Sequence, residues 1–444
     1  MGSIEKKVID AILTLIRARR ESEADLPAPS AAATGPVTLR EARLSDFRAV
    51  ADLKGRWGLT LDSLENWERL WCENPALGPL AHPIGWVLEA HGRLVGYLGN
   101  ISQLYRYGDK TLNSVSSHGL VVEPAFRGAA MSLVAAFYRQ ESVDLFLTTT
   151  AIEASGKIAR AFKSDPLPQA DYDTVLFWVL QPYPFSRAVM KKLQVGPVFS
   201  RVGAIFASFV IKVDGIRRRK PGGSEAELAV SESCVSDIGN DFRHFWEQKV
   251  DEKPHRLLAD RSPAALRWHF QIPGDRGTTR VLCCRRNEEL IGYAVVRNEA
   301  PNEATGLRSS ILADMLAKQD DPDVLRALWR AAYDQAVRAE SHVLEVLGFP
   351  PSVRQVFLPW NPYLRKYPAH PFYYKAADPT MHKTLSDGMA WYANPFDGDT
   401  TVISASFSSS VPPHGSSAEQ IKTTRNNIVS EVTERVKSKA ADCR

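Results

Sequence analysis

Residues 119–134 read GLVVEPAFRGAAMSLV. An apolar strand stops at Pro124, a turn of small residues follows, and an amphipathic helix begins at once. That order aims unpaired backbone N–H groups and the positive end of a helix dipole at one spot, which is an anion cradle made of main chain. Small residues at Gly128, Ala129, Ala130 and Ser132 let a ligand approach the backbone, and Arg127 adds charge. Just upstream, His118 follows Ser116 and Ser117 on the strand. An imidazole with a pKa of about 6.5 can deprotonate an amine or a hydroxyl, so His118 is a general-base candidate. The plainer reading is a histidine hydrogen-bonded inside a sheet. Glu123, one residue before Pro124, is the second candidate, with a solvated strand-end carboxylate as its plainer reading.

The rest of the composition narrows the partners. A net charge of +4 over 444 residues is mild, and the basic residues are dispersed, so no nucleic-acid face is expected. The one tight run, Arg217-Arg218-Arg219-Lys220, precedes Pro221-Gly222-Gly223 and reads as a solvated linker. Hydrophobic residues at 44% and charged residues at 24% are those of a globular protein. No stretch approaches the roughly 18 apolar residues of a membrane span, so integral membrane association is not expected. The longest candidate, 202–213, is interrupted by Ser208 and Lys212 and reads as a buried strand. The five cysteines are odd in number and lack CxxC spacing, which favours a reducing cytoplasm and predicts no metal site. Lys6, Lys7 and Asp10 break up any signal-peptide core. Ile4, Val8, Ile12, Leu15 and Ile16 share one helical face, suited to docking on the protein itself or on a second copy, with a membrane surface as the alternative.

These residues need a scaffold. The Pro/Ala-rich stretch 26–36 and the low-complexity stretch 404–417 bound a folded part of 37–403, and Pro221-Gly222-Gly223 falls near its middle. The division expected is an N-terminal helix and linker over 1–36, a first domain over 37–216, a linker over 217–224, a second domain over 225–403 and a tail over 404–444. The halves look alike. Trp67 and Asn74-Pro75 precede a hairpin around His91-Gly92 that ends in Leu94-Val95-Gly96-Tyr97. Trp268 and Pro273 precede one around Asn287 that ends in Leu290-Ile291-Gly292-Tyr293. The first half is expected to run strand 37–41, helices 45–58 and 61–72, hairpin 85–99, strand 115–122, helix 129–140, strand 145–152, helix 155–163 and strand 174–180. The second repeats this as strand 226–231, helices 236–248 and 262–270, the hairpin, strand 309–315, helix 322–339 and strand 342–347, with closing strands at 372–376 and 389–392. Each half is thus an α/β unit with a mixed sheet.

The order of elements and the 119–134 segment resemble the GNAT superfamily of acyl-CoA-dependent N-acyltransferases, whose pyrophosphate loop reads Arg/Gln-x-x-Gly-x-Gly/Ala after a Val-x-Pro strand end. Val122 and Pro124 match the strand end, Arg127 the first loop position, Ala130 the first glycine and Ser132 the last small residue. The resemblance implies two tandem GNAT-like domains, each a mixed, mostly antiparallel sheet flanked by helices. It also implies that acetyl-CoA or another acyl-CoA lies against Leu120, Val121, Val122 and the loop Arg127, Gly128, Ala129, Ala130, Met131 and Ser132. Ala130 departs from the pattern by a Cβ. Ser155 and Phe162 stand where the family usually carries Asn and an acid Tyr. In the second half, 317–322 (AKQDDP) repels phosphate, which makes that copy degenerate. Asp314 there reads as a strand-end or capping residue, or one facing the cleft. The aromatics Trp360, Tyr363, Tyr367, Phe372, Tyr373 and Tyr374 are core or a sugar- or peptide-binding groove.

The function expected is acyl transfer, most simply acetyl transfer, from CoA to an amine or hydroxyl of a small-molecule, sugar or peptide acceptor. The alternatives are a transferase similar to the Fem-type aminoacyl-tRNA-dependent enzymes, which use two GNAT-like domains without the cradle, and a non-catalytic GNAT-like binding module.

Overall fold

Both repeated hairpins close on two left-handed residues, His91 and Gly92 in the first, Asn287 and Glu288 in the second. Turns of that kind match the right-handed twist of the flanking strands. The computed structural model describes residues 36–402 except 58, 60–62, 78–81, 193–207, 209–227 and 274–277. The expected N-terminal helix, the basic linker and the low-complexity tail lie outside the described residues.

The first part of the chain forms β1 (Thr38–Glu41), α1 (Phe47–Arg56), α2 (Leu64–Cys72), β2 (Gly85–Ala90), β3 (Arg93–Tyr107), β4 (Lys110–Val122), α3 (Ala130–Tyr138), β5 (Leu145–Thr148), α4 (Glu153–Ala161), β6 (Asp165–Pro166), β7 (Thr174–Val179) and α5 (Pro182–Lys192). Next come β8 (Val230–Ser233), α6 (Asn240–Glu252), β9 (Leu258–Ala259), α7 (Pro263–Phe270), β10 (Thr278–Arg286) and β11 (Glu289–Asn298). They lead into β12 (Ser309–Ala317), α8 (Pro322–Arg338), β13 (Val343–Val346), α9 (Pro351–Phe357), β14 (Tyr363–Lys366), β15 (Tyr373–Ala376) and α10 (Pro379–Thr384).

Two mixed, mostly antiparallel sheets flanked by helices result, as expected for an α/β chain with two similar halves. The first has the order β1-β2-β3-β4-β5-β15-β6, with β9 joined to β3, and the second β14-β7-β13-β12-β11-β10-β8. In each, one pair is parallel: β4 with β5, and β12 with β13. Sheet membership crosses the expected boundary. β15, from the second half of the sequence, lies antiparallel to β5 in the first sheet, and β7, from the first half, lies antiparallel to β13 in the second. Strand periodicity reveals a strand but not its neighbours, which is why the sequence reading left both at home. A second correction concerns 389–392. It is a 3-10 turn at Gly388–Ala390 followed by a lone bridge from Trp391 to Leu257, not a strand.

The exchange is sealed by apolar packing. Trp178 of β7 lies 4.6 Å from Trp329 of α8, ring centre to ring centre, and donates from Nε1 to Trp360 O at 2.9 Å. Trp360, Tyr363, Phe372, Tyr373 and Tyr374 are buried and Tyr367 half-buried, so that aromatic run is core and not a groove. The two tryptophan-bearing helices also meet. Trp268 Nε1 donates to Arg69 O at 3.1 Å, and Arg69 donates back to Trp268 O. A chain interlocked in this way should survive loss of its covalent link. With a protease site engineered into 217–224, the cut chain is expected to elute at the size of the intact protein in native buffer. Two separated fragments would show that the exchanged strands do not hold the halves together.

Candidate active site

β4 and β5 pair only from Ser114 to Ser116 against Leu145 to Leu147. Beyond that Ser117 Oγ meets Thr148 Oγ1 at 2.9 Å and the strands part, so that among the described residues 117–122 have no strand on that side while β3 continues on the other. Where they part, β4 also bulges. Tyr97 faces Val121 and Gly99 faces His118, which sets Gly119 and Leu120 opposite Leu98 alone, with Gly119 at φ +64. A bulge re-aims the neighbouring side chains, and the left-handed backbone favours glycine there.

His118 is buried at this point. Its Nδ1 lies 3.1 Å from Asp399 Oδ2, and its Nε2 lies 3.4 Å from Lys54 Nζ of α1. A carboxylate can only accept, so Nδ1 is placed to donate to Asp399 while Nε2 faces Lys54. Asp399 also accepts from Thr149 Oγ1 at 2.8 Å and from Thr150 Oγ1 at 3.3 Å, just past the end of β5. Ser114 and Ser116 share the His118 face of β4, and their hydroxyls are buried without a hydrogen-bond partner among the described residues.

Glu123 is held differently. Arg93 grips both its oxygens, at 2.5 and 2.8 Å, and Arg56 Nη2 lies 3.0 Å from Oε1. Burial alone would raise this carboxyl, but the two guanidiniums outweigh it and keep it below its ordinary value. A carboxylate so held is a poor proton acceptor. Its place in the fold is a latch between β4, the start of β3 and α1. The two base candidates are therefore in different settings, His118 on β4 and Glu123 just past its end.

The expected cradle is wound more tightly than a turn. Pro124–Ala129 is a 3-10 helix that runs straight into α3, and the Ala130 N–H donates to Arg127 O. Ser132 Oγ donates to Ala129 O at 2.7 Å. These bonds use some of the donors that the sequence leaves unpaired. What remains fits a phosphate-bearing thioester in two respects. A Cβ built on Gly128 would meet nothing within 4 Å, so the backbone can be approached. Arg127 is exposed, its side chain with no hydrogen bond or ion pair among the described residues, and Met131 is exposed beside it. Val121 is buried, with Leu120 and Val122 packed at the edge of the apolar cluster beneath α3. Ser155 caps α4 by accepting from Ile152 N at 2.9 Å, and Phe162 stacks on Tyr138 at 5.0 Å. Both are explained by packing.

No comparable opening occurs at 317–322. Asp320 collects Lys249 at 2.8 Å and Lys253 and Arg256 at 2.6 Å each. Burial opposes its ionisation, but these cations hold its carboxyl far below the usual range. A carboxylate of the chain itself thus sits among the cations. Asp314 is fully buried against Arg261, Tyr293 and Asn394, neither exposed at a cleft nor capping a helix.

The sequence reading missed Asp399 and Lys54. Asp399 lies 281 residues from His118, in a polar stretch, Asp397-Gly398-Asp399-Thr400-Thr401, whose composition is that of a surface loop. In the structure this stretch is buried throughout. Gln103 Nε2 donates to Gly398 O at 2.7 Å, Tyr105 OH to Asp397 Oδ1 at 2.8 Å, and Arg69 to Val402 O. His269, kept neutral by burial and by the charges of Arg69 and Arg261, lies 2.7 Å from Thr401 Oγ1. Gly398 has φ +74, and a Cβ there would overlap the Thr149 side chain. Only glycine fits.

No protein-family model matches the chain, and no curated protein matches it significantly in sequence. Solved structures do match. A GCN5-related N-acetyltransferase from Kribbella flavida has a TM-score of 0.50 at 12% identity, over 79% of this chain and 73% of that one. One from Anabaena variabilis ATCC 29413 has a TM-score of 0.48 at 10% identity, over 77% and 73%. A conserved protein from Enterococcus faecalis V583, described as a probable N-acyltransferase, has 0.48 at 9%, over 77% and 73%. The chain has the fold of the GCN5-related N-acetyltransferases, with two sheets in tandem. At 12% identity the likeness is one of fold.

Two outcomes follow from this geometry. Gly398→Ala should lower unfolding stability by about 1–3 kcal/mol in a denaturant titration, because strain and a clash with Thr149 add; an unchanged midpoint would mean the segment is not packed as described. The second concerns Asp397. Burial pushes its carboxyl up to about 6, against the pull of Arg261, the Asn394 N–H and Tyr105. The folded value exceeds the unfolded one, so the group binds its proton more tightly when folded. Its contribution to stability is therefore fullest below about pH 4 and is lost as pH rises through about 6. Relative to Asp397→Asn, the parent should lose stability between pH 4 and pH 7; a pH-independent difference would contradict the assignment.

Proposed function

We propose that the chain is an acyltransferase that moves an acyl group, acetyl in the simplest case, from a CoA thioester to an amine or hydroxyl of a small-molecule, sugar or peptide acceptor. The observation that carries this reading is the parting of β4 from β5 beside His118 and directly ahead of the small-residue start of α3. The free edge at 117–122 offers main-chain groups to an extended amide-bearing arm. Gly128 to Ser132, with Arg127, would face the diphosphate. The fold likeness is in keeping with this and says nothing of the acceptor.

In this reading His118 Nε2 takes the proton of the acceptor nitrogen or oxygen as that atom forms its bond to the acyl carbon. The carbon–sulfur bond breaks, and the thiolate leaves with a proton from the imidazolium or from water. Asp399 holds the Nδ1–H and stabilises the charge on the ring. Lys54, at 3.4 Å from Nε2, must yield to the acceptor or share the lone pair with it. The second half would bind no CoA, because Asp320 already satisfies the cations near its corresponding turn. The proposal extends to a cytoplasmic protein that self-associates through the apolar residues Ile4, Val8, Ile12, Leu15 and Ile16.

Calorimetric titration with acetyl-CoA and longer acyl-CoAs tests the core of it. One site per chain is expected for the parent. Ala130→Asp should abolish binding with the fold intact, since it sets a carboxylate against the diphosphate, and Arg127→Ala should weaken binding more modestly. His118→Gln should bind as the parent does but release thiol from acetyl-CoA about 100-fold more slowly, the usual range for a lost general base. Full affinity in folded Ala130→Asp would overturn the site, and two equivalent sites would overturn the division of labour between the halves.

A further inference from the structure

The second sheet also has a place where its parallel strands part. β12 pairs with β13 only from Ser309 to Leu312 against Val343 to Val346. Beyond Leu312 the space is taken by the chain itself. Tyr392 OH donates to Met315 O at 2.6 Å, and Asn394 Nδ2 donates to Asp314 Oδ1 at 2.7 Å. Asp314 is locked in turn by Arg261 Nε at 3.0 Å and Tyr293 OH at 2.6 Å. From just beyond β13, the Phe349 N–H reaches Ala393 O at 2.8 Å, and Gln169 bonds Ala393 through both its side-chain groups, at 2.7 and 2.8 Å. All these groups are buried.

The same segment then enters the first sheet's parting. Asn394 N donates to Asp397 Oδ2 at 2.9 Å, and Phe396 N to Asn394 Oδ1 at 2.9 Å, so the path from Asn394 to Asp397 is fixed by its own hydrogen bonds. Asp399 follows, 3.1 Å from His118 Nδ1. We propose that the second half serves as the socket for this segment, which makes Tyr392, Asn394 and Asp314 remote positioning residues that set the tautomer and orientation of His118. The degenerate copy thus keeps a role, because its filled slot anchors the carboxylate that the open slot uses. A buried ion pair, Arg261 with Asp314, suits an anchor because loss of one partner leaves the other charge uncompensated, so the register of the segment cannot slip at low cost.

This inference rests on the role given to His118 in the proposed acyl transfer, but its test does not. The full chain, labelled with 15N at histidine, is studied by imidazole nitrogen NMR at neutral pH, with the His118 signals identified by their loss in His118→Gln. The parent should show hydrogen on Nδ1. Asp399→Asn should move it toward Nε2, because the asparagine amide donates to Nδ1. Asn394→Ala, remote from the ring, should give a mixture of tautomers, and Tyr392→Phe, which removes one hydroxyl and little volume, a smaller shift in the same direction. In the acetyl-CoA assay, Asn394→Ala should lose about 10- to 100-fold in kcat with KM for acetyl-CoA unchanged, as a misplaced catalytic group does. A parent-like tautomer in folded Asn394→Ala and Tyr392→Phe would overturn the proposal and leave the segment a mere packing element. Should Asn394→Ala fail to fold, Tyr392→Phe decides alone. Absence of acetyl-CoA binding in the parent would sink the acyltransferase reading and leave the tautomer result standing.

Discussion

A carboxylate buried beside an imidazole is the constraint on which the rest of this structure depends. Asp399 sits 3.1 Å from His118 with almost no access to water, and a charge in that position is costly unless its oxygens are satisfied. Thr149 and Thr150 supply the remaining donors, from the end of β5. They can reach it only because β5 stops short of β4 there. The parting of the parallel strands is therefore not a frayed end. It makes room for the segment that brings the carboxylate, and among the described residues it leaves the far part of β4 without a neighbouring strand on that side. Gly398 is a consequence at one remove, since a chain pressed this close to Thr149 has no space for a side chain.

The exchange of β7 and β15 serves the same end. A segment that must reach from the slot of one sheet to the slot of the other needs the sheets held in a fixed relation. Each sheet includes a strand of the other half, and Trp178 against Trp329 ties the exchanged β7 to the helix that covers the second sheet. The contact of Arg69 with Trp268 adds a second tie, between the paired helices α2 and α7. The burial of Tyr373, Tyr374 and Trp360 belongs to this joint and not to a ligand groove.

Local features of this architecture were legible in the sequence and long-range ones were not. The hairpins around His91-Gly92 and Asn287 announce themselves by period-two patterning and turn chemistry, and the segment from Gly119 to Val134 by its strand, break and helix. His118 stood out because a histidine beside two serines on an apolar strand is chemically conspicuous. Its partner did not, because Asp399 belongs to a stretch whose residues, Asp, Gly, Asp and two Thr, are those of exposed loops. Only tertiary contact separates a buried polar segment from a solvated one. Strand exchange was illegible for a related reason: an apolar run such as 174–179 is suited to either sheet equally, and which it joins depends on the helices it must cover. Glu123, read as a base candidate or a solvated strand-end carboxylate, is buried instead, because its two arginine partners, Arg56 and Arg93, lie 67 and 30 residues away and could not be foreseen.

The two slots, alike in topology, differ in what fills them, and that asymmetry is physical. In the second half every polar group named at the parting is met from within: Met315 by Tyr392, Asp314 by Arg261 and Asn394, and the nearby cations by Asp320. A ligand entering there would have to break bonds that already hold the fold. In the first half the segment passes the histidine and meets only its Nδ1 side, through Asp399. Among the described residues the edge at 117–122 has no paired strand, the backbone at Gly128 is open to approach and the Arg127 side chain is exposed. A segment rooted in the second slot reaches the first, so that neither half contains by itself the charge arrangement seen around His118.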